Sequence, residues 1–157
     1  MASTDKAPPL KLVALDADDL SVLSAHLQDA VLKVSEMAYL PAEKRFALVA
    51  NRFVWEAESA LRARAGQHER RRTGVQVTRV HKAATRGLDR HDGETVLSLL
   101  ALTFEAGEAP AGVVTLAFSG DVTVRLEVEC CEVAMADLGG AWQTPHRPAH
   151  PLDEDTA

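Results

Sequence analysis

The sequence predicts an α+β domain: one N-terminal helix packed on a six-stranded, mostly antiparallel sheet of hairpins. Three observations carry this. Val122, Val124, Leu126, Val128 and Cys130 alternate with Thr123, Arg125, Glu127, Glu129 and Cys131, the period-two pattern of a strand with one buried and one wet face. Two apolar segments, 95–104 and Gly112–Phe118, precede it with only turn residues between. Leu20, Leu23, Leu27 and Val31 recur at spacings of three and four, the stripe of a single helix.

Taken in order, residues 1–11 read as a flexible tail, since Pro8 and Pro9 exclude a helix. Residues 12–15 read as either a short strand or an entry segment. Asp16 is the expected N-cap of a helix over 17–30, with Asp18 and Asp19 in the first turn, where the helix dipole favours acids. Residues 32–40 form a strand whose parity switches at Ser35 and Glu36, the sign of a bulge. The turn Pro41-Ala42-Glu43-Lys44 leads into a strand over 45–56, closing a hairpin. Residues 58–73 are too polar to pack and read as a long loop. A strand over 73–84 follows, and Asp92-Gly93 marks a tight turn. The near-continuous apolar run 95–104 is that of a central strand covered on both faces. Ser119-Gly120-Asp121 joins Gly112–Phe118 to a final strand over 122–133. The domain thus covers 12–142, and the Pro-, His- and acid-rich 143–157 reads as a second flexible tail.

Such a sheet either stays open with the helix on one face or curls into a partial barrel that hides its edges. The second layout is that of pleckstrin-homology-like barrels, although those place the helix last.

At 157 residues the chain fits one domain that folds without disulfides or metal. Aromatics make up 4% of it, so the core is aliphatic. No apolar run reaches the ~18 residues of a spanning helix, and the polar N-terminus lacks a signal-peptide core. Cys130 and Cys131 are adjacent, a poor disulfide geometry, and point to opposite faces of a strand, with Cys130 inward. These features predict a cytoplasmic protein with reduced thiols.

Charge is the most informative feature. The net charge is −6, yet residues 62–90 carry nine Lys/Arg against two acids, a net of +7 that leaves −13 elsewhere. Arg70, Arg71, Arg72, Arg79, Lys82 and Arg86 are the candidate anion- or partner-binding residues, and an arginine run can hold oxyanions by paired hydrogen bonds. The plainer reading is a solvated face pairing with Glu127, Glu129 and Glu132 across the sheet. The overall acidity and the absence of interleaved aromatics argue against nucleic acid, with a local basic patch leaving that route open.

No catalytic motif stands out. His26 and Asp29 lie at i, i+3 and would form a His–carboxylate pair on one helical face. His146 and His150 lie among prolines that forbid the helix a His-x3-His chelate needs. Cys131 sits between Glu129 and Glu132, which oppose thiolate formation. Trp55 and Trp142 read as packing anchors. No cofactor or metal is expected.

Several long segments, LxALDxxDLxVLSAHLQDAV (12–31), AYLPAEKRFALVANRFVWE (38–56), RRRTG (70–74), VRLEVEC (124–130) and ADLG (136–139), resemble an uncharacterised bacterial family, domain of unknown function 2948. The resemblance covers roughly 10–151 and implies a single-domain bacterial cytoplasmic protein. It implies no activity and no catalytic residues.

The expected function is therefore a non-catalytic binding module with an anionic or protein partner on the 62–90 region. Two alternatives stand beside it: a small enzyme with a pocket between helix and sheet, and a homodimer paired through an exposed edge such as 122–133.

Overall fold

The computed structural model describes residues 8–57, 68–139 and 142–144, the last three as backbone only. Most of the two expected tails and of the 58–73 loop, with His146 and His150, lies outside the described residues.

The fold is α+β, with one long helix and a large antiparallel sheet that does not close. In chain order the elements are β1 (Lys11–Ala14), α1 (Ala17–Leu27), β2 (Ala30–Lys33), β3 (Met37–Leu40), β4 (Arg45–Phe53), β5 (His68–Val77), β6 (Val80–Arg86), β7 (Val96–Ala106), β8 (Gly112–Phe118), β9 (Val122–Val128), β10 (Val133–Asp137) and β11 (Trp142–Thr144). The sheet order is β1-β10-β5-β4-β2-β7-β8-β9-β6, with β3 added to β4 and β11 to β5.

The six strands expected become eleven among the described residues. The main reason is that three apolar runs each cross a corner. A 3-10 turn at Val34–Glu36 splits 32–40 into β2 and β3, at the site of the expected bulge. Thr78 and a left-handed Arg79 (φ 61°) split 73–84 into β5 and β6. Residues 129–132 split 122–133 into β9 and β10. This last break also reverses the expected sides of the cysteines. Cys131 is buried and Cys130 only half-buried, because the period-two parity ends at Val128.

The helix starts where the sequence places it. Asp16 Oδ1 accepts from the Asp19 amide at 2.7 Å, which satisfies one otherwise unpaired donor of the first turn, and Asp19 Oδ2 accepts from the Leu15 amide, just before the cap, at 3.2 Å. It ends at Leu27, not Ala30, because Asp29 adopts φ 65° and its amide turns to the Leu99 carbonyl. Val31, expected on the helical stripe, belongs to β2. Leu20, Leu23 and Leu27 are fully buried against the sheet. Ser24 Oγ accepts from the Leu102 amide at 2.9 Å, beside a register shift between Leu99 and Ala101 of β7. Contrary to the two-sided covering expected, β7 alternates: Leu97, Leu99 and Leu102 are buried, and Val96 and Leu100 face outward.

One core gathers buried residues from α1 and from both ends of the sheet, from Val133 and Met135 on β10 to Val80 on β6. The sheet therefore wraps around its interior without joining its edges, which leaves a gap between β3 and β6.

Candidate functional site

The six candidate cations are spread over β5, β6 and the corner between them, on several faces. Arg70, Arg71 and Arg72, expected in a loop, lie in β5, where successive side chains alternate faces. Arg71 is buried, with Nη1 3.7 Å from Asp137 Oδ2. Arg70 is half-buried, its guanidinium 5.7 Å from the centre of the Phe53 ring. Burial lowers the Arg70 pKa, while the charge of Asp29 acts in the opposite direction. Arg72 is exposed and pairs with Glu36 at 3.2 Å. Arg79 meets Glu132 at 3.3 Å and Lys82 meets Glu127 at 3.8 Å, the cross-sheet compensation weighed as the plainer reading. Glu129 instead pairs with Lys44 at 2.9 Å. Arg86 is exposed at the end of β6.

Folding also assembles a buried ionic network that sequence spacing does not reveal. The side chains of Arg52 and Asp137 are both fully buried, though the residues are 85 positions apart. Asp137 Oδ1 accepts from Arg52 Nε (2.8 Å) and Thr73 Oγ1 (2.7 Å), and Oδ2 from Arg52 Nη2 (2.9 Å) and the Leu10 amide (2.7 Å). The remaining side of Arg52 meets Glu56 through Nη1 (3.0 Å) and Nη2 (2.7 Å). Burial pushes the Asp137 pKa up, but the hydrogen bonds from Arg52, Leu10 and Thr73 outweigh it and hold the carboxyl below the usual carboxylate range. For Glu56, too, the hydrogen bond from Arg52 and its own backbone bond outweigh burial. With four donors on Asp137, this network is a clamp tying the N-terminal segment, β4, β5 and β10 together, not a poised acid or base.

His26 stands at its margin, with Nδ1 3.4 Å from Glu56 Oε1. The carboxylate facing His26 is thus Glu56, not Asp29, which lies beyond the end of the helix. The helix–sheet interface, expected by one alternative to hold a pocket, is filled by Leu20, Leu23 and Leu27. Trp55 packs as an anchor, its ring centre 4.5 Å from that of Phe53 and its Nε1 donating to the Gln28 carbonyl at 3.1 Å.

The open space lies at the gap in the sheet. A cleft of about 580 Å³ runs between β3 and β6. Val34, Phe46 and Val124 form its buried floor, Met37 and Tyr39 one wall, and Ala83 and Thr85 the other. One end is pinned by the Val80 amide, which donates to the Lys44 carbonyl at 2.8 Å. At the other, the Ser35 and Val34 amides donate to the Gly93 and Thr95 carbonyls, each at 3.0 Å. These bonds place Leu88 and Arg90 at the rim. The lining includes the hydroxyl-bearing Ser35, Tyr39 and Thr85 and the cationic Arg90, and among the described residues it holds no Asp, Glu, His or Cys. Arg90 makes no ion pair among the described residues. Arg90 belongs to the basic stretch 62–90 but is not one of the six cations that the sequence offers as candidates.

Among the described residues no cluster of His, Cys, Asp and Glu is arranged to hold a metal, and no helix is long and apolar enough to cross a membrane. No curated protein and no solved structure matches the chain. The family described as Protein of unknown function (DUF2948) matches residues 10–150, nearly the whole sequence, and the chain belongs to that family.

Proposed function

We propose that this chain is a binding module whose ligand site is the cleft between β3 and β6. The observation that carries the reading is the lining itself: an apolar floor, three hydroxyl-bearing residues and an arginine that, among the described residues, has no ion pair and shares the lining with no carboxylate. A volume of about 580 Å³ falls within the range typical of ligand pockets. Among the described residues the lining sets no nucleophile beside a base, a composition that suits binding better than catalysis. The anionic or protein partner expected on the 62–90 region is thereby drawn to the end of that region, where Thr85, Leu88 and Arg90 meet the core.

The test uses 8-anilinonaphthalene-1-sulfonate, an apolar anion, titrated into the folded protein and followed by backbone NMR. Shifts are expected at Tyr39, Phe46, Leu88 and Arg90, and Thr85→Trp, which fills the cleft, should abolish them. Dye that shifts other surfaces alone, or binds the Thr85→Trp protein equally, would remove the cleft from consideration.

A homodimer is the second reading. The edge first suggested for it is not free, since β9 pairs with both β8 and β6. What favours a dimer instead is the outer face near β1, where Val13 and Leu138 are 58% and 57% exposed beside a hollow of about 310 Å³. Light scattering should then report a dimer that Leu138→Glu converts to a monomer. A monomer in the unsubstituted chain would end this reading.

A further inference from the structure

We infer that the occupant of the cleft is an extended peptide segment of a partner protein, carrying a carboxylate, that adds a strand to the sheet. The inference rests on the cleft reading above and adds the class of ligand. Both long walls of the cleft are strands with one unpaired edge. Among the described residues, β3 pairs only with β4 and β6 only with β9. Backbone N–H and C=O groups are obligatory hydrogen-bonding groups, and a strand edge offers a row of them as a template for another chain. The start of β6 is tied to the turn that follows β3, where the Val80 amide meets the Lys44 carbonyl, and the two strands do not pair beyond that point. The seven residues of β6 give an edge about 20 Å long. Ala83 and Thr85, the β6 residues that face the cleft, are small and leave room beside that edge. In strand addition, main-chain bonds supply affinity and pockets for alternate side chains supply selectivity. Here the floor of Val34, Phe46 and Val124 would take apolar side chains at every second position.

Charge sets the rest of the occupant's chemistry. Of the acids flanking the cleft, Asp92 is exposed and makes no ion pair among the described residues, but Glu36 pairs with Arg72, Glu94 with Lys33, Glu127 with Lys82 and Glu43 with Arg45, and Asp89 accepts from the His91 amide at 3.0 Å. Arg86 and Arg90 make no such pair among the described residues. A segment that alternates apolar and polar residues and bears an Asp, a Glu or its own C-terminal carboxylate complements this arrangement. A guanidinium can meet a carboxylate through two parallel hydrogen bonds.

The experiment selects a phage-displayed random dodecapeptide library, with free and with internal C-termini, against the immobilised full chain. Peptides with alternating apolar residues and at least one acid should be enriched. The synthesised consensus should lose about tenfold in affinity for Arg90→Glu, because a like charge then faces its carboxylate. The added strand pairs with the β6 edge, so only one set of its amides faces that edge, and N-methylation of the peptide should abolish binding at one set of alternate positions and spare the other. Arg90 is exposed, so its variant should fold, and an unchanged melting temperature checks this. No enrichment, affinity indifferent to Arg90→Glu, or tolerance of N-methylation at every position would overturn the peptide proposal. Anilinonaphthalene sulfonate bound in the same cleft would then leave the binding-module reading standing and point to an amphipathic small molecule; its absence as well would remove both.

Discussion

Replacing Asp137 by Asn tests the buried clamp with almost no change of shape. Each carboxylate oxygen accepts two bonds: Oδ1 from Arg52 Nε and Thr73 Oγ1, Oδ2 from Arg52 Nη2 and the Leu10 amide. An Asn side chain has one acceptor oxygen, so whichever way it is turned its N–H groups confront the other two donors. The Thr73 hydroxyl can rotate to accept, but neither Arg52 nor the Leu10 amide can. Arg52 keeps Glu56 but loses its fully buried partner. Breaking a buried pair from one side costs about 3–5 kcal/mol, a large share of the roughly 5–15 kcal/mol that holds a domain folded. Urea unfolding at pH 7, followed by circular dichroism, should show a loss of about 3 kcal/mol or more with an unchanged denaturant slope, and a melting temperature lower by about 10 °C.

The pH dependence has a definite sign. The folded pKa of Asp137 is depressed, so its contribution is complete above the unfolded value of about 3.9 and is lost as pH falls through the folded value. The gap between the two proteins should stay constant from pH 7 to about 5 and narrow only below about 4. A gap under about 1 kcal/mol at pH 7, or one that closes between pH 7 and 5, would refute the clamp.

Three further predictions concern local structure. Asp16→Ala removes the side chain that accepts from the Asp19 amide and should lower stability by about 0.5–2 kcal/mol in urea unfolding; a neutral result would mean the cap is dispensable. Gly87 has φ +75°, and a Cβ there would lie 2.7 Å from the Asp121 carbonyl oxygen, so Gly87→Ala should destabilise by about 1–3 kcal/mol in the same assay. Burial pushes the Cys131 thiol up to about 11, helped by Asp16. Ellman's reagent at pH 8 should therefore label Cys130 first, Cys130→Ser should remove the fast phase, and Cys131 should react only on unfolding; a fast second thiol in the native protein would contradict its burial.

How much of the site could be read in advance depends on whether a signal was local. Glu127 and Glu132 are expected as partners of the basic stretch as a whole, because charge runs are usually solvated, compensated faces, and only the fold assigns them to Lys82 and Arg79. The clamp joins residues 85 positions apart, and no spacing rule links Arg52 to Asp137. A weaker signal was present. Phe46, Leu48 and Ala50 set the buried parity of β4, and Arg52 continues it. Val77 and Val75 do the same for Thr73 and Arg71 on β5, and Val133 and Met135 for Asp137 on β10. Charges on an apolar parity mark a buried polar network, since a charge buried alone would be prohibitive. The cleft carried no comparable signal, because its walls and floor come from separate segments.

The sequence by itself determined the single helix, its Asp16 cap, the antiparallel hairpins and the family. Each follows from periodicity, capping chemistry or residues in order, all properties of neighbouring positions. Tertiary structure decided where apolar runs turn corners, which cysteine is buried, which acid meets Arg52, and that β3 and β6 stop short of each other. A corner needs only one or two residues of altered backbone, such as Arg79 at φ 61°, and it leaves the hydrophobic pattern on either side intact. Whether two distant edges meet is set by the summed twist and bending of all the strands between them, a quantity that no local stretch of sequence contains.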